Sequence, residues 1–317
     1  MKERNKALQF VINNGVYIVL VLMFIYFSVS CEGFFTAQNL ANIPMQIAFV
    51  VIIATGMTLV IITGGIDISV GCIVALNAVI FSLLLENYHM AIPLAIVLSL
   101  LLGSVTGLIS GYSIVKFNVP PFIATLAMMT IARGAARYIS GNTKIFINGT
   151  AIEKYTHFVT GGNIGGIPYL VIFMLIVVVI FGVILKKTRF GRYVLADGGN
   201  EEATKLSGID VGKVKILVYV INASLAGLVG ILMAFKFTNG NPEFGVMWEL
   251  DAIAAVVVGG ASLLGGKGDI FKTFLGALLI GVLDNGLLIK GLSSEMIYMI
   301  KGVIILGAVI VDQIKGH

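Results

Sequence analysis

Charge is scarce in this 317-residue sequence. Asp, Glu, Lys and Arg make up 12% of it, about half of what a soluble domain carries. With 58% of its residues hydrophobic, a water-soluble fold of this length would lack the polar groups to cover its surface, so lipid is the expected solvent. Cysteine is nearly missing. Cys31 and Cys72 stand far apart, which excludes a disulfide framework and a cysteine-based zinc site. The three histidines, His89, His157 and His317, are scattered and read as solvated or interfacial, and no metal-ligand cluster forms. No GxxxxGK[ST] loop occurs, so the chain cannot by itself cradle ATP phosphates in that way. A GxSxG elbow is absent too, and enzymatic chemistry has no visible seat. Nucleic acid is excluded as a partner despite the net charge of +5. The basic residues are spread over loops and form no aromatic-interleaved face.

What the sequence has in abundance is apolar runs and glycine. A hydrocarbon core needs about 20 apolar residues per helix. Ten stretches qualify as spans: 13–30, 42–63, 68–85, 91–114, 120–139, 167–186, 213–235, 251–266, 270–290 and 295–312. The expectation is an all-α polytopic membrane protein, one transmembrane domain over 1–317. Met1–Lys6 is basic and leads into an apolar run, like a signal peptide. The run is long and many spans follow, so it reads as a retained first span. The 38 glycines fit close helix approach in a bilayer and broken helices, and the spans at 68–85 and 251–266 are short and glycine-interrupted.

Orientation follows from the positive-inside rule. With the N-terminus inside, the inner segments hold 14 basic residues: Lys2, Arg4, Lys6, Lys116, Lys267, Lys272, Lys315 and the seven Lys and Arg of Lys186–Lys215. The outer segments hold four: Lys144, Lys154, Lys236 and Lys290. Both termini and Lys186–Lys215 are therefore expected in the cytoplasm. Residues 140–166 form the largest external loop, with a short amphipathic piece near Glu153–Phe158, and a second external loop, Lys236–Leu250, carries the single tryptophan, Trp248.

The charged 186–215 segment encloses a short helix with both ends marked. Asn200 is an N-cap residue, Glu201 and Glu202 put negative charge in the first turn, and Gly208 suits the left-handed position after the last turn. Two glycine breaks repeat weakly: TLVIITGGIDISVG (Thr58–Gly71) and AVVVGGASLLGGKG (Ala255–Gly268), the second carrying Ser262. Duplicated halves with interrupted helices are a transporter design; chance recurrence in a glycine-rich chain is the equal alternative. Asp67 and Ser69 fit the start of the helix after the first break, the carboxylate near the N-terminus and the hydroxyl available as a cap. Capping is the favoured role for Asp67, and a gate at the cytoplasmic end of a pathway is the other. Thr130, Arg133 and Arg137 share one helix face. Arg133 can donate to substrate hydroxyls or pair with a carboxylate or carbonyls, and Arg137 lies near enough to the boundary to reach water. Asp284 and Asn285 sit inside an apolar span and either bond helix to helix or line a path.

Several ordered blocks resemble the permease subunits of sugar-type ABC importers, the ribose-permease-like family. They are GMTLVIITGGIDISVG (Gly56–Gly71), PFIATL (Pro121–Leu126), TRFGRY (Thr188–Tyr193), GNEEATKLSGI (Gly199–Ile209), ELDAIAAVVVGGASLLGGKG (Glu249–Gly268) and NGL (Asn285–Leu287). The resemblance runs from about Asn39 to Asp312. It implies that Asn200–Gly208, with Asn200, Glu201, Glu202, Ala203, Leu206 and Gly208, is a coupling helix docking on a separate cytosolic ATPase subunit, which binds the ATP. It also implies an extracytoplasmic sugar-binding protein and a second permease copy in a bacterial inner membrane, with no cofactor of the chain's own. Asp284 departs from the usual Asn, and Lys272 from a small residue. An ion-gradient-driven secondary transporter is the alternative; its proton or ion relay would have to be built from Asp67 and Asp284.

Overall fold

The computed structural model describes the backbone of residues 2–316, and the side chains of all of these except 2–14, 150, 151, 158, 308 and 311–316. His317 and the side chains of Lys2, Arg4, Lys6 and Lys315 lie outside the described residues. Thirteen helices follow in order among the described residues: α1 (Lys2–Ser30), α2 (Ala37–Ile62), α3 (Val70–Glu86), α4 (Ile92–Phe117), α5 (Pro121–Ile139), α6 (Thr150–Thr160), α7 (Tyr169–Lys187), α8 (Arg189–Gly199), α9 (Glu201–Leu206), α10 (Val211–Phe237), α11 (Trp248–Val258), α12 (Ile270–Ile289) and α13 (Ser294–Gly316). Four two-residue strands make two short ribbons. In one, β1 (Ile145–Phe146) pairs antiparallel with β4 (Asn239–Gly240); in the other, β2 (Asn163–Ile164) pairs with β3 (Ile167–Pro168). The architecture is all-α. Among the described residues five helices, α2, α4, α7, α10 and α12, are long and apolar enough to cross a membrane.

α2 is the centre. Its sequence is apolar on every side, as in a helix enclosed by others, and from Ile47 to Ile62 all but Val50 are buried. α10, α12, α11 and α7 pack around it. The α4–α10 pair is closed by small residues. Gly103, Gly107 and Gly111, at every fourth position of α4, lie against the backbone of Ile216, Tyr219, Ala223 and Gly227, with no room for a side chain. Such a ridge lets two helices meet backbone to backbone where lipid offers no hydrophobic drive.

Two helices begin inside the bundle. After α2 the chain turns at Gly64, whose φ of +73° favours glycine, and climbs back along α2. Asn222 of α10 packs on Gly56 and also donates to Asp67, so Asp67 sits near the level of Gly56, about 9 Å from the end of α2 at 1.5 Å per residue. The expected span at 68–85 is therefore the 17-residue α3, preceded by an extended segment. The second case is 239–247. Gly240 lies against Ala78 and Ser82, and Gly245 against Gly71 in the first turn of α3. This segment thus descends along α3, and α11 starts from its lower end with Trp248 stacked on Phe49. The expected span 251–266 is corrected: the helix is 11 residues and stops at Val258, because Gly259 and Gly260 follow and Gly260 takes φ +88°. Non-helical backbone at such depth is tolerated where it is buried in protein or lines a water-filled cavity; here Asp67, Pro242 and Gly245 are buried, while Glu243 and Val246 are exposed and line a cavity.

Candidate functional site

The first polar constellation surrounds the start of α3. Asp67 is 1% exposed. One carboxylate oxygen accepts from the Ser69 amide at 2.9 Å and the Ser69 hydroxyl at 2.6 Å, and the other accepts from the Asn222 amide at 2.9 Å. The expectation that Ser69 caps α3 is corrected. Its backbone is already helical (φ −86°, ψ −15°) and its side chain makes no cap bond. A capping residue needs extended backbone to aim its oxygen at the next turn; Ser69 instead donates to Asp67. Thr125 of α5 donates to the Ile66 carbonyl at 3.2 Å, tying the segment to a third helix.

The second constellation is a cavity of about 540 Å3 where α3, α5 and α11 meet. Thr130, Arg133 and Arg137 of α5 line one wall, Cys72 the first turn of α3, and Glu243, Met247 and Glu249 the other side. Arg133 donates to the carbonyls of Pro242 and Phe244, the latter at 3.1 Å, and so holds the descending segment from the side. Arg137 pairs with Glu243 at 2.9 Å. Thr130 donates back to the Leu126 carbonyl at 2.9 Å, leaving its oxygen able to accept. The wall thus offers donors and acceptors of both signs around a space large enough for a small polar molecule. Glu243 and Glu249 were not singled out from sequence as lining this space. The glycines and Pro242 ahead of Trp248 were the available signal that the chain does not leave the bundle there.

Asp284 and Asn285 serve helix-to-helix contacts. Asn285, 4% exposed, exchanges two hydrogen bonds of 2.9 Å with Asn39 of α2. Asp284 and Asp251 flank the Lys301 ammonium at 3.2 and 2.7 Å, joining α12, α11 and α13. Neither Asp284 nor Asn285 lines the cavity of the second constellation. Lys272 points outward on the first turn of α12.

At the end carrying α8 and α9, two glycine turns stack on the last residues of α8. Gly198 lies on the Ile62 carbonyl and the Gly266 amide, Gly265 on Gly198 and Gly64, and Gly266 on Gly199. The Gly266 amide donates to the Ile62 carbonyl at 2.9 Å. The two breaks of the weak repeat therefore meet in space. Ser262 shapes the second one locally, its hydroxyl accepting from the Leu264 amide at 3.3 Å. Beside this stack stands α9. Asn200 caps it, its side chain accepting from the Ala203 amide at 2.9 Å. Gly208 takes φ +81° after the last turn. Both ends are as the sequence predicts. Glu201 accepts from Lys205 and from Lys215 of α10, each at 2.6 Å; these bonds hold its carboxyl below the usual range. Glu202 and Ala203 face outward, and Leu206 is 91% exposed. A single exposed leucine is ordinary on a protein surface; the outward face of α9 consists of Glu202, Ala203, Lys205 and Leu206. Asp197 of α8 is buried beside them, and burial pushes its carboxyl up to about 6.

A family described as "Branched-chain amino acid transport system / permease component" matches residues 39–309. The ribose import permease of Haemophilus influenzae is 39% identical over 97% of this chain and 95% of its own. That of Bacillus subtilis is 41% identical over 95% and 93%, and an L-arabinose ABC transporter permease of Azospirillum brasilense 32% over 100% and 92%. No solved structure matches. With a match across most of the chain and relatives this similar over nearly their full length, the chain belongs to this family of importer permeases, as its ordered sequence blocks imply.

Proposed function

We propose that this chain forms the translocation path for a sugar in an ATP-driven importer of the bacterial cytoplasmic membrane. Two copies enclose the path, a soluble binding protein delivers the sugar from outside, and a separate ATPase subunit works from the cytoplasm. The observation that carries the reading is the likeness to ribose and arabinose permeases over nearly the whole chain. It is supported by α9, a capped helix that offers Leu206 and Glu202 to a partner at the end where the basic residues cluster. In this reading ten spans cross the membrane, α1 to α5, α7 and α10 to α13, with α11 a half-span completed by the 259–269 turn. Both termini, α8 and α9 are cytoplasmic, and α6 and the β ribbons are external.

The cavity along α5 lies between the two ends and serves as the sugar's way through. Arg133, Arg137 and Thr130 present donors and acceptors to hydroxyls, and Asp67 keeps the α2–α3 turn closed behind it. The test is reconstitution. Purified permease with the cognate ATPase and binding protein in proteoliposomes takes up sugar only with ATP. Uptake driven by an ion gradient without ATP overturns the reading. Leu206→Asp is expected to lose the ATPase on co-purification while inserting normally.

A further inference from the structure

Asp197 and Lys215 are charged, largely buried and unused by the reading above. The Lys215 ammonium stands between two carboxylates. It donates to Glu201 of α9 at 2.6 Å and stays 3.9 Å from Asp197 of α8. The Asp197 side chain is 1% exposed, and neither of its oxygens receives a hydrogen bond. A carboxylate taken from water without donors is costly, and a shift of Lys215 by about 1 Å brings it within hydrogen-bond range. A cavity of about 350 Å3 lined by Asp197, Glu201, Lys215 and Tyr219 gives the lysine room to make that shift.

The other side of the argument is α10. Lys215, Tyr219 and Asn222 are spaced i, i+4, i+7 and share one face. At the bottom of that face Lys215 holds α9. One turn up, the Tyr219 hydroxyl stands over Gly65 with no hydrogen-bond partner. Two turns up, Asn222 holds Asp67. One helix face therefore touches both the surface helix and the α2–α3 break.

We propose that Lys215 is a two-station positioning residue: it holds Glu201 when α9 rests as seen here, and transfers to Asp197 when α9 is displaced. The transfer releases α9 from the foot of the α10 face whose upper turns grip the α2–α3 break. Two arrangements of one ammonium supply the bistable element that transmission between distant sites requires. The inference rests on the reading that α9 meets the ATPase subunit.

The test uses the complete transporter in proteoliposomes, with Asp197→Asn and Asp197→Leu. Either change removes a buried charge that receives no hydrogen bond, so the melting temperature of the purified permease is expected to hold or rise. The sugar delivered per ATP hydrolysed is expected to fall at least about fivefold. A structural role for Asp197 moves both quantities down together, so a lowered melting temperature in both variants overturns the proposal, as does an unchanged ratio. Leu206→Cys, cross-linked to a cysteine on the ATPase surface, separates the two readings. A cross-link with normal coupling in the Asp197 variants defeats the two-station role alone; no cross-link defeats the docking of α9 and the transfer with it.

Discussion

Lys301 shows how much one buried cation can hold. It is 9% exposed and bridges Asp251 and Asp284, which come from two other helices. Removing one partner of a buried pair leaves a charge stranded, at about 3–5 kcal/mol. Lys301→Met strands two carboxylates and is expected to lower the melting temperature of the detergent-purified protein strongly. Asp284→Asn leaves the shorter Asp251 pair intact and is expected to change it little. Asp197 makes the opposite kind of prediction. Its carboxyl ordinarily titrates at 3.8 and in this fold at about 6, so the folded chain holds the proton more tightly than the unfolded one. Its ionisation therefore weakens the fold. The contribution is most favourable below pH ~4 and is lost as pH rises through about 6, by about 3 kcal/mol in all. Melting temperatures recorded from pH 5 to 7.5 are expected to fall for the unsubstituted protein and to flatten for Asp197→Asn.

At the scale of the element, α9 was the most legible piece of the chain, because caps are local. Asn200 and Gly208 act through backbone positions a few residues away, and the sequence spacing alone determines them. Asn200→Ala is expected to cost about 1 kcal/mol of helix stability and to weaken ATPase association, read by co-purification, with membrane insertion unchanged. Ser69 shows the limit of the same reasoning. Its residue type and position suit a cap, but capping depends on backbone angles, and here they are already helical. The α5 face carrying Thr130, Arg133 and Arg137 followed from helical periodicity. What that face looks toward did not, since Glu243 and Glu249 come from a segment more than 100 residues on. Nor did anything local mark Asp197 as buried, since its counter-charge sits a helix away on α10.

For the whole molecule, the count of apolar runs located every long helix, and the positive-inside excess gave an orientation. The descent of 239–247 was illegible because it depends on contacts with α3 that no hydropathy window contains. The orientation is open to a direct measurement. A cysteine replacing Leu206 is expected to react with a membrane-impermeant maleimide only in inverted vesicles, and one replacing the exposed Lys154 only in intact cells. The opposite pattern turns the whole chain over. The packing of α4 on α10 makes the second prediction at this scale. Gly107→Leu puts a side chain where the Tyr219 backbone lies, and is expected to abolish folded protein in the membrane, seen as loss of a monodisperse peak after extraction.

The glycine turns at 64–65 and 265–266 and the α8 end at 198–199 come together main chain against main chain. Peptide groups meet directly at that end, with the side chains of Tyr219 and Ile62 closing on Gly65 and Gly268 beside them. A methyl group at Gly198 meets the Ile62 carbonyl, so Gly198→Ala is expected to push the end of α8 off the end of α2 and to lower the melting temperature of the purified protein.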